Sequence, residues 1–91
     1  MIGEIGLDGI LDNVPIEVQE KYFVRQLELA VRVRRPVVLH GARVWGRLVE
    51  VLKPYARKLP GFIAHGFAGS AEILKQILDM GGYVSFAGSV C

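Results

Sequence analysis

The chain has 91 residues, 11 lysines and arginines against 9 acidic residues for a net charge of +2, 52% hydrophobic residues, 11 glycines and a single cysteine. That length allows one domain at most, and the composition excludes disordered, collagen-like, low-complexity and disulfide-scaffold classes. The charge is too small to argue for a nucleic-acid or membrane partner by electrostatics alone.

The first predicted element is a strand over residues 2–5, within Ile2-Gly3-Glu4-Ile5-Gly6-Leu7. A helix follows over Ile16–Val33, where Ile16, Phe23, Leu27, Ala30 and Val31 recur at helical spacings and Glu17, Glu20, Lys21, Arg25 and Glu28 take the other face. Pro15 suits its first turn, Asp12 and Asn13 are capping-type residues, and Arg32, Arg34 and Arg35 oppose the helix dipole before Pro36 forbids continuation. A second strand is expected over residues 36–40. The next helix spans residues 42–52, with Trp45, Leu48, Val49 and Leu52 as its stripe and Pro54 ending or kinking it.

A third strand over residues 61–65 leads to Ser70, a good N-cap for a helix that presents Ile73, Leu74, Ile77 and Leu78 to one side and stops at Gly81-Gly82. Tyr83 to Phe86 reads as a fourth strand. The apolar segment at the start and this strand so near the last residue suggest that both ends cut through a larger structure. The runs are nearly continuously apolar, as in strands covered on both faces. Strand and helix alternate with short loops, so the class is α/β with parallel strands and right-handed crossovers.

In such architecture active sites gather beyond the carboxyl ends of the strands. The only two histidines, His40 and His65, close the second and third strands at the same register. A histidine there is often a structural residue, but two at one register point to a shared site. Glu4 places a carboxylate in the apolar first strand, which is costly unless it is paired, hydrogen-bonded or metal-bound. Neighbouring strands lie about 4.8 Å apart, so three adjacent strands would bring Glu4, His40 and His65 across roughly 10 Å of one sheet end. Imidazole plus carboxylate suits Zn or Mn, with Mg favoured where oxygen ligands and water dominate.

Other candidates follow the same sheet end. Asp8 either orients a ligand or water, or caps the turn with Gly9. Arg43 either meets an anionic substrate or is a solvated arginine. Gly66, Gly69 and Ser70 precede a helix N-terminus, where backbone N–H groups can bind phosphate. Cys91 is a terminal thiol without a partner. There is no Ser-His-Asp arrangement, CxxC pair, Walker loop or GxGxxG fingerprint. No apolar run approaches the roughly 18 residues of a membrane span and no secretory pattern is visible, so a cytoplasmic protein is expected.

Gly3-Glu4-Ile5-Gly6-Leu7-Asp8, with Gln19 and Phe23, then residues 26–30, Pro36-Val37-Val38-Leu39-His40, His65-Gly66-Phe67-Ala68-Gly69-Ser70 and residues 81–88, resembles in this order the middle of the TatD-like family of metal-dependent hydrolases. The resemblance covers essentially the whole chain. It implies part of a (β/α)8 TIM barrel, here four parallel strands in sequential order with three helices on one face and the other face open. A complete barrel needs eight such units and about 250 residues.

The resemblance also implies a deoxyribonuclease-type hydrolase that cleaves phosphodiester bonds at a site of two divalent ions, Mg, Mn or Zn, which activate water and neutralise the phosphate. Glu4 matches the family's bridging carboxylate, with a catalytic as well as a metal-binding role, and His40 and His65 match metal-ligating histidines. DNA is the implied substrate. Two departures stand out: His40-Gly41-Ala42-Arg43-Val44 replaces the family's His-Ser-Arg-Asp-Ala, and neither the His-x-His pair of the family's first strand nor its late acidic ligand is in this chain. The isolated chain is therefore expected to be inactive, with missing ligands supplied by a longer enzyme or by a chain associating through the open sheet. The alternative is a non-catalytic remnant or interaction module that keeps the βα scaffold.

Overall fold

A computed structural model of the chain describes residues 2–9 and 14–86. The capping candidates Asp12 and Asn13, the last residues of the Gly81 to Gly88 motif, and Cys91 lie outside the described residues. In chain order the elements are β1 (Ile2–Asp8), α1 (Ile16–Val33), β2 (Val37–Ala42), α2 (Trp45–Ala56), β3 (Phe62–Phe67), α3 (Ala71–Asp79) and β4 (Tyr83–Phe86). The four strands form one sheet in the order β1-β2-β3-β4, every neighbouring pair parallel.

The first helix has the bounds its periodicity predicts, and it buries Phe23, Leu27 and Ala30. It ends where Arg34 turns left-handed at φ 56°, with the Arg34 N–H donating to the Val31 carbonyl and the Arg35 N–H to the Ala30 carbonyl. This pair of backbone bonds satisfies carbonyls the helix would otherwise leave open.

Several expectations need correction, beginning with the first strand, which runs past residue 5 to Asp8. The second and third strands run two residues past His40 and His65, to Ala42 and Phe67, because the parallel backbone ladder continues where the apolar run stops. The second helix starts at Trp45, since Ala42 is still in the strand and Arg43 takes a left-handed turn at φ 63°. It also runs through Pro54 to Ala56, because a proline near a helix end removes only one bond, and the carbonyl deprived of it belongs to the exposed Glu50. In α3, Ile77 is buried but Leu78 is 53% exposed, because α3 closes the helix layer at the β4 end and has α2 on one side only.

Burial alternates along the strands. Ile5 and Leu7 of β1, Val37 and Leu39 of β2, and Phe62 and Ala64 of β3 pack with Phe23 and Leu27 of α1, Leu48 and Leu52 of α2, and Ile77 of α3 in one core. Val38 and Ile63, on the opposite sheet face, are only half-buried. The strands are thus apolar toward both faces while the helices cover one.

Candidate metal centre

Glu4 owes its place to an irregularity in β1. Gly3 pairs with Val38 and Ile5 with Leu39, so Glu4 is an extra residue with no partner on β2. A bulge of this kind bends the strand and re-aims a side chain. Two residues on, Gly6 pairs with His40 so closely that a Cβ on Gly6 would collide with the His40 carbonyl oxygen. Only glycine permits that approach, so β1 and β2 stay paired beside the site.

The carboxylate of Glu4 reaches over β2 to β3, where its Oε2 lies 3.6 Å from Nε2 of His65. Both side chains are about half exposed, 48% and 57% respectively. Behind the imidazole, Nδ1 of His65 is 3.0 Å from Oγ of Ser85 on β4. That hydroxyl oxygen accepts the Gly66 N–H at 3.2 Å. A second irregularity sets this up: Ala64 pairs with Val84 and Phe67 with Phe86, so His65 and Gly66 together face Ser85. Gly66 takes φ +66°, a backbone conformation that L side chains rarely adopt. The inserted residue returns Phe67 to the helix side, where its ring meets that of Trp45 at 5.1 Å and 58°.

His40 is exposed and borders a groove of about 350 Å³ that Glu4, Asp8, Gln19, Tyr22 and Gln26 also line. Glu4 therefore lies between the His65 contact and the His40 groove. Among the described residues, no three His, Cys, Asp or Glu side chains stand close enough together to hold a metal ion. The structure brings Glu4 and His65 into one pair and leaves His40, on β2 opposite Gly6, outside it.

Of the remaining candidates, Asp8 and Ser70 have local partners. Asp8 belongs to β1, and its backbone is clasped by Gln19: the Asp8 N–H donates to Gln19 Oε1 at 2.7 Å, and Gln19 Nε2 donates to the carbonyls of Asp8 and Val14, each at 3.0 Å. Ser70 caps α3, its hydroxyl accepting the Ile73 N–H at 3.1 Å. Arg43 is exposed in the β2–α2 turn. Sequence reasoning assigned no role to Ser85 or Gln19. Both lie among the residues that carry the family resemblance, and Ser85 is also a lone hydroxyl in an apolar strand, but the contact that Gln19 makes depends on how the chain folds back.

The Glu4–His65 pair suits a divalent ion chemically and in spacing. Two donors at about 2.1 Å from one ion, at a roughly tetrahedral angle, stand about 3.4 Å apart. A carboxylate oxygen and an imidazole nitrogen at 3.6 Å come close to that. A structural or catalytic ion takes three or four protein donors, so this pair alone would not complete a shell.

Comparison with known proteins gives a consistent result. The family model described as TatD-related DNase matches residues 1–91. The chain is 37% identical over 89 residues to YabD of Bacillus subtilis, an uncharacterized metal-dependent hydrolase, covering 98% of this chain and 35% of that protein. It is 37% identical over 90 residues to the 3'-5' ssDNA/RNA exonuclease TatD of Escherichia coli, covering 99% and 35%. The crystal structure of YJJV, a TatD homologue from Escherichia coli, superposes with a TM-score of 0.81 at 36% identity, over 90% of this chain and 31% of that one. The chain thus spans about a third of the length of the curated relatives it matches.

Proposed function

We propose a function from one premise: this chain belongs to the TatD-related DNase family. It forms four parallel strands, in order, of that family's barrel, and is the part of a divalent-metal-dependent hydrolase that holds Glu4, His40 and His65. The substrate is single-stranded nucleic acid in the cytoplasm, and the bond cleaved is a phosphodiester. The observation that carries this is the contact between Glu4 and His65 across β2, two candidate ligands from strands that are not neighbours meeting at 3.6 Å.

In the proposed mechanism Glu4, His65 and His40 are the residues of this chain that would hold divalent ions, Glu4 and His65 being the two in contact. Bound divalent ions would supply a nucleophilic water at neutral pH and positive charge against the phosphate. Glu4, beside the groove, would orient the attacking water. Arg43, exposed in the turn after the His40 strand, attracts the phosphate. The rest of the metal shell comes from whatever closes the open sheet face, further barrel strands or a second chain, so the 91-residue chain alone binds metal weakly and does not turn over.

Manganese titration followed by melting temperature tests the proposal. Binding should raise the melting temperature with a millimolar midpoint, and His65→Ala should abolish the shift. No shift in the wild-type chain at 10 mM metal would overturn it, although ten-fold saturation is worth only about 1.4 kcal/mol. A second reading, a βα scaffold kept as an interaction module, draws on one observation: the absence of a three-donor cluster among the described residues. It predicts no metal-dependent shift at all.

A further inference from the structure

We propose that Ser85 is the positioning residue for His65, fixing the imidazole so that Nε2 is the nitrogen presented to a divalent ion shared with Glu4. The inference rests on the metal-binding reading above, and gives a role to a residue that the sequence motifs include without assigning it one.

An imidazole can ligate through either ring nitrogen, and the partner of the other nitrogen decides which. Here the ring is bracketed. On one side Nδ1 lies 3.0 Å from Ser85 Oγ; on the other Nε2 lies 3.6 Å from Glu4 Oε2. The hydroxyl is itself oriented, because it accepts the Gly66 N–H at 3.2 Å. A serine oxygen has two lone pairs and one proton. With one lone pair on the Gly66 N–H, the other accepts Nδ1–H, which leaves the Nε2 lone pair facing Glu4 for the ion. When no ion is bound, the same hydroxyl donates to Nδ1 instead, and Nε2–H turns toward the carboxylate. A hydroxyl serves both tautomers without moving a heavy atom, where a backbone carbonyl would serve only one.

The register makes the contact deliberate. Were β3 and β4 paired without the shift between Ala64 and Phe67, His65 itself would take a paired position and Gly66 would not bring its N–H onto the same oxygen. The left-handed Gly66 at φ +66° creates the insertion, so the bulge, the Gly66 amide and Ser85 act as one support behind the ring.

The test compares the wild-type chain with Ser85→Ala and Ser85→Thr, reading the ring-nitrogen NMR shifts of His65 with and without zinc, and zinc affinity by titration. His40→Ala assigns the resonances. Wild type should show Nδ1 protonated and Nε2 metal-shifted on zinc addition. In Ser85→Ala the affinity should fall about 10- to 100-fold and both nitrogens should show ligation, with threonine restoring the wild-type pattern. Unchanged His65 shifts in Ser85→Ala, or a loss of affinity that threonine does not restore, would overturn the assignment. If the wild-type chain binds no zinc, the function proposed above fails. The metal-free shifts then decide this one, because losing the Ser85 hydroxyl must still change the balance of His65 tautomers.

Discussion

The two faces of the sheet carry the same kinds of residue to different ends. Toward the helices, Leu7, Val37, Leu39 and Ala64 are almost inaccessible, at 1% exposure or less, and their neighbours on α1 and α2 are equally closed. Toward the open face, Val38 and Ile63 are half-buried, and the exposed Glu4, His40 and His65 stand among them. Alternation along each strand makes both surfaces from one sequence. Burial is concentrated on the helix-covered face, away from the candidate site, so the side chains on the open face should vary with little effect on folding.

The sharpest way to break this contrast is to cut two adjacent residues of β2. Leu39→Ala, on the helix side, removes a fully buried side chain and should cost about 2–5 kcal/mol in urea unfolding. Val38→Ala, one residue away on the half-buried side, should cost less than about 1.5 kcal/mol. Equal losses would mean that the open face is covered in solution and that the faces are not distinct.

These faces were largely legible in the sequence; their edges were not. The 3.6-residue period of Phe23, Leu27 and Ala30 exposed α1 because a helix on a sheet must bury one stripe. The apolar runs around Val37 and Phe62 exposed β2 and β3. Their ends differ from the apolar runs because residues 41, 42 and 67 stay paired with the neighbouring strands, to which side-chain polarity gives no clue. Glu4 and His65 could be nominated from residue type and strand position. Their meeting depends on a bulge, and the contact of Ser85 on another, and register shifts of one residue leave no composition signal. Leu78 shows the reverse: its apolar character fits the helix stripe, but α3 has too few neighbours to cover it.

A smaller effect sharpens the division at the sheet's carboxyl end. Ser70 lies where a phosphate could approach, yet its hydroxyl already accepts the Ile73 N–H. If that capping bond is its main work, Ser70→Ala should lower stability by about 1 kcal/mol, within the 0.5–2 kcal/mol range for lost caps, and leave metal affinity unchanged. A melting temperature equal to wild type, with weakened binding of single-stranded DNA by the assembled enzyme, would move Ser70 from the scaffold to the site.

The smallest effect belongs to the outer surface of the helix layer, where Arg47 of α2 pairs with Glu20 of α1. The guanidinium side chain is 49% exposed and the carboxylate side chain 25% exposed. A pair so open to water gains little Coulomb energy and loses side-chain freedom, so its worth is set near the bottom of the range for exposed pairs. Arg47→Ala should therefore shift stability by no more than about 0.5–1 kcal/mol, and the shift should shrink as salt is raised, because screening acts on exposed charges first. The apolar contacts of Leu48 and Val49, buried beside it on the same helix, should be insensitive to salt. A large, salt-independent loss in Arg47→Ala would show that α1 and α2 are held together by their outer charges as well as by the core beneath, and the helix-covered face would no longer owe its stability to burial alone.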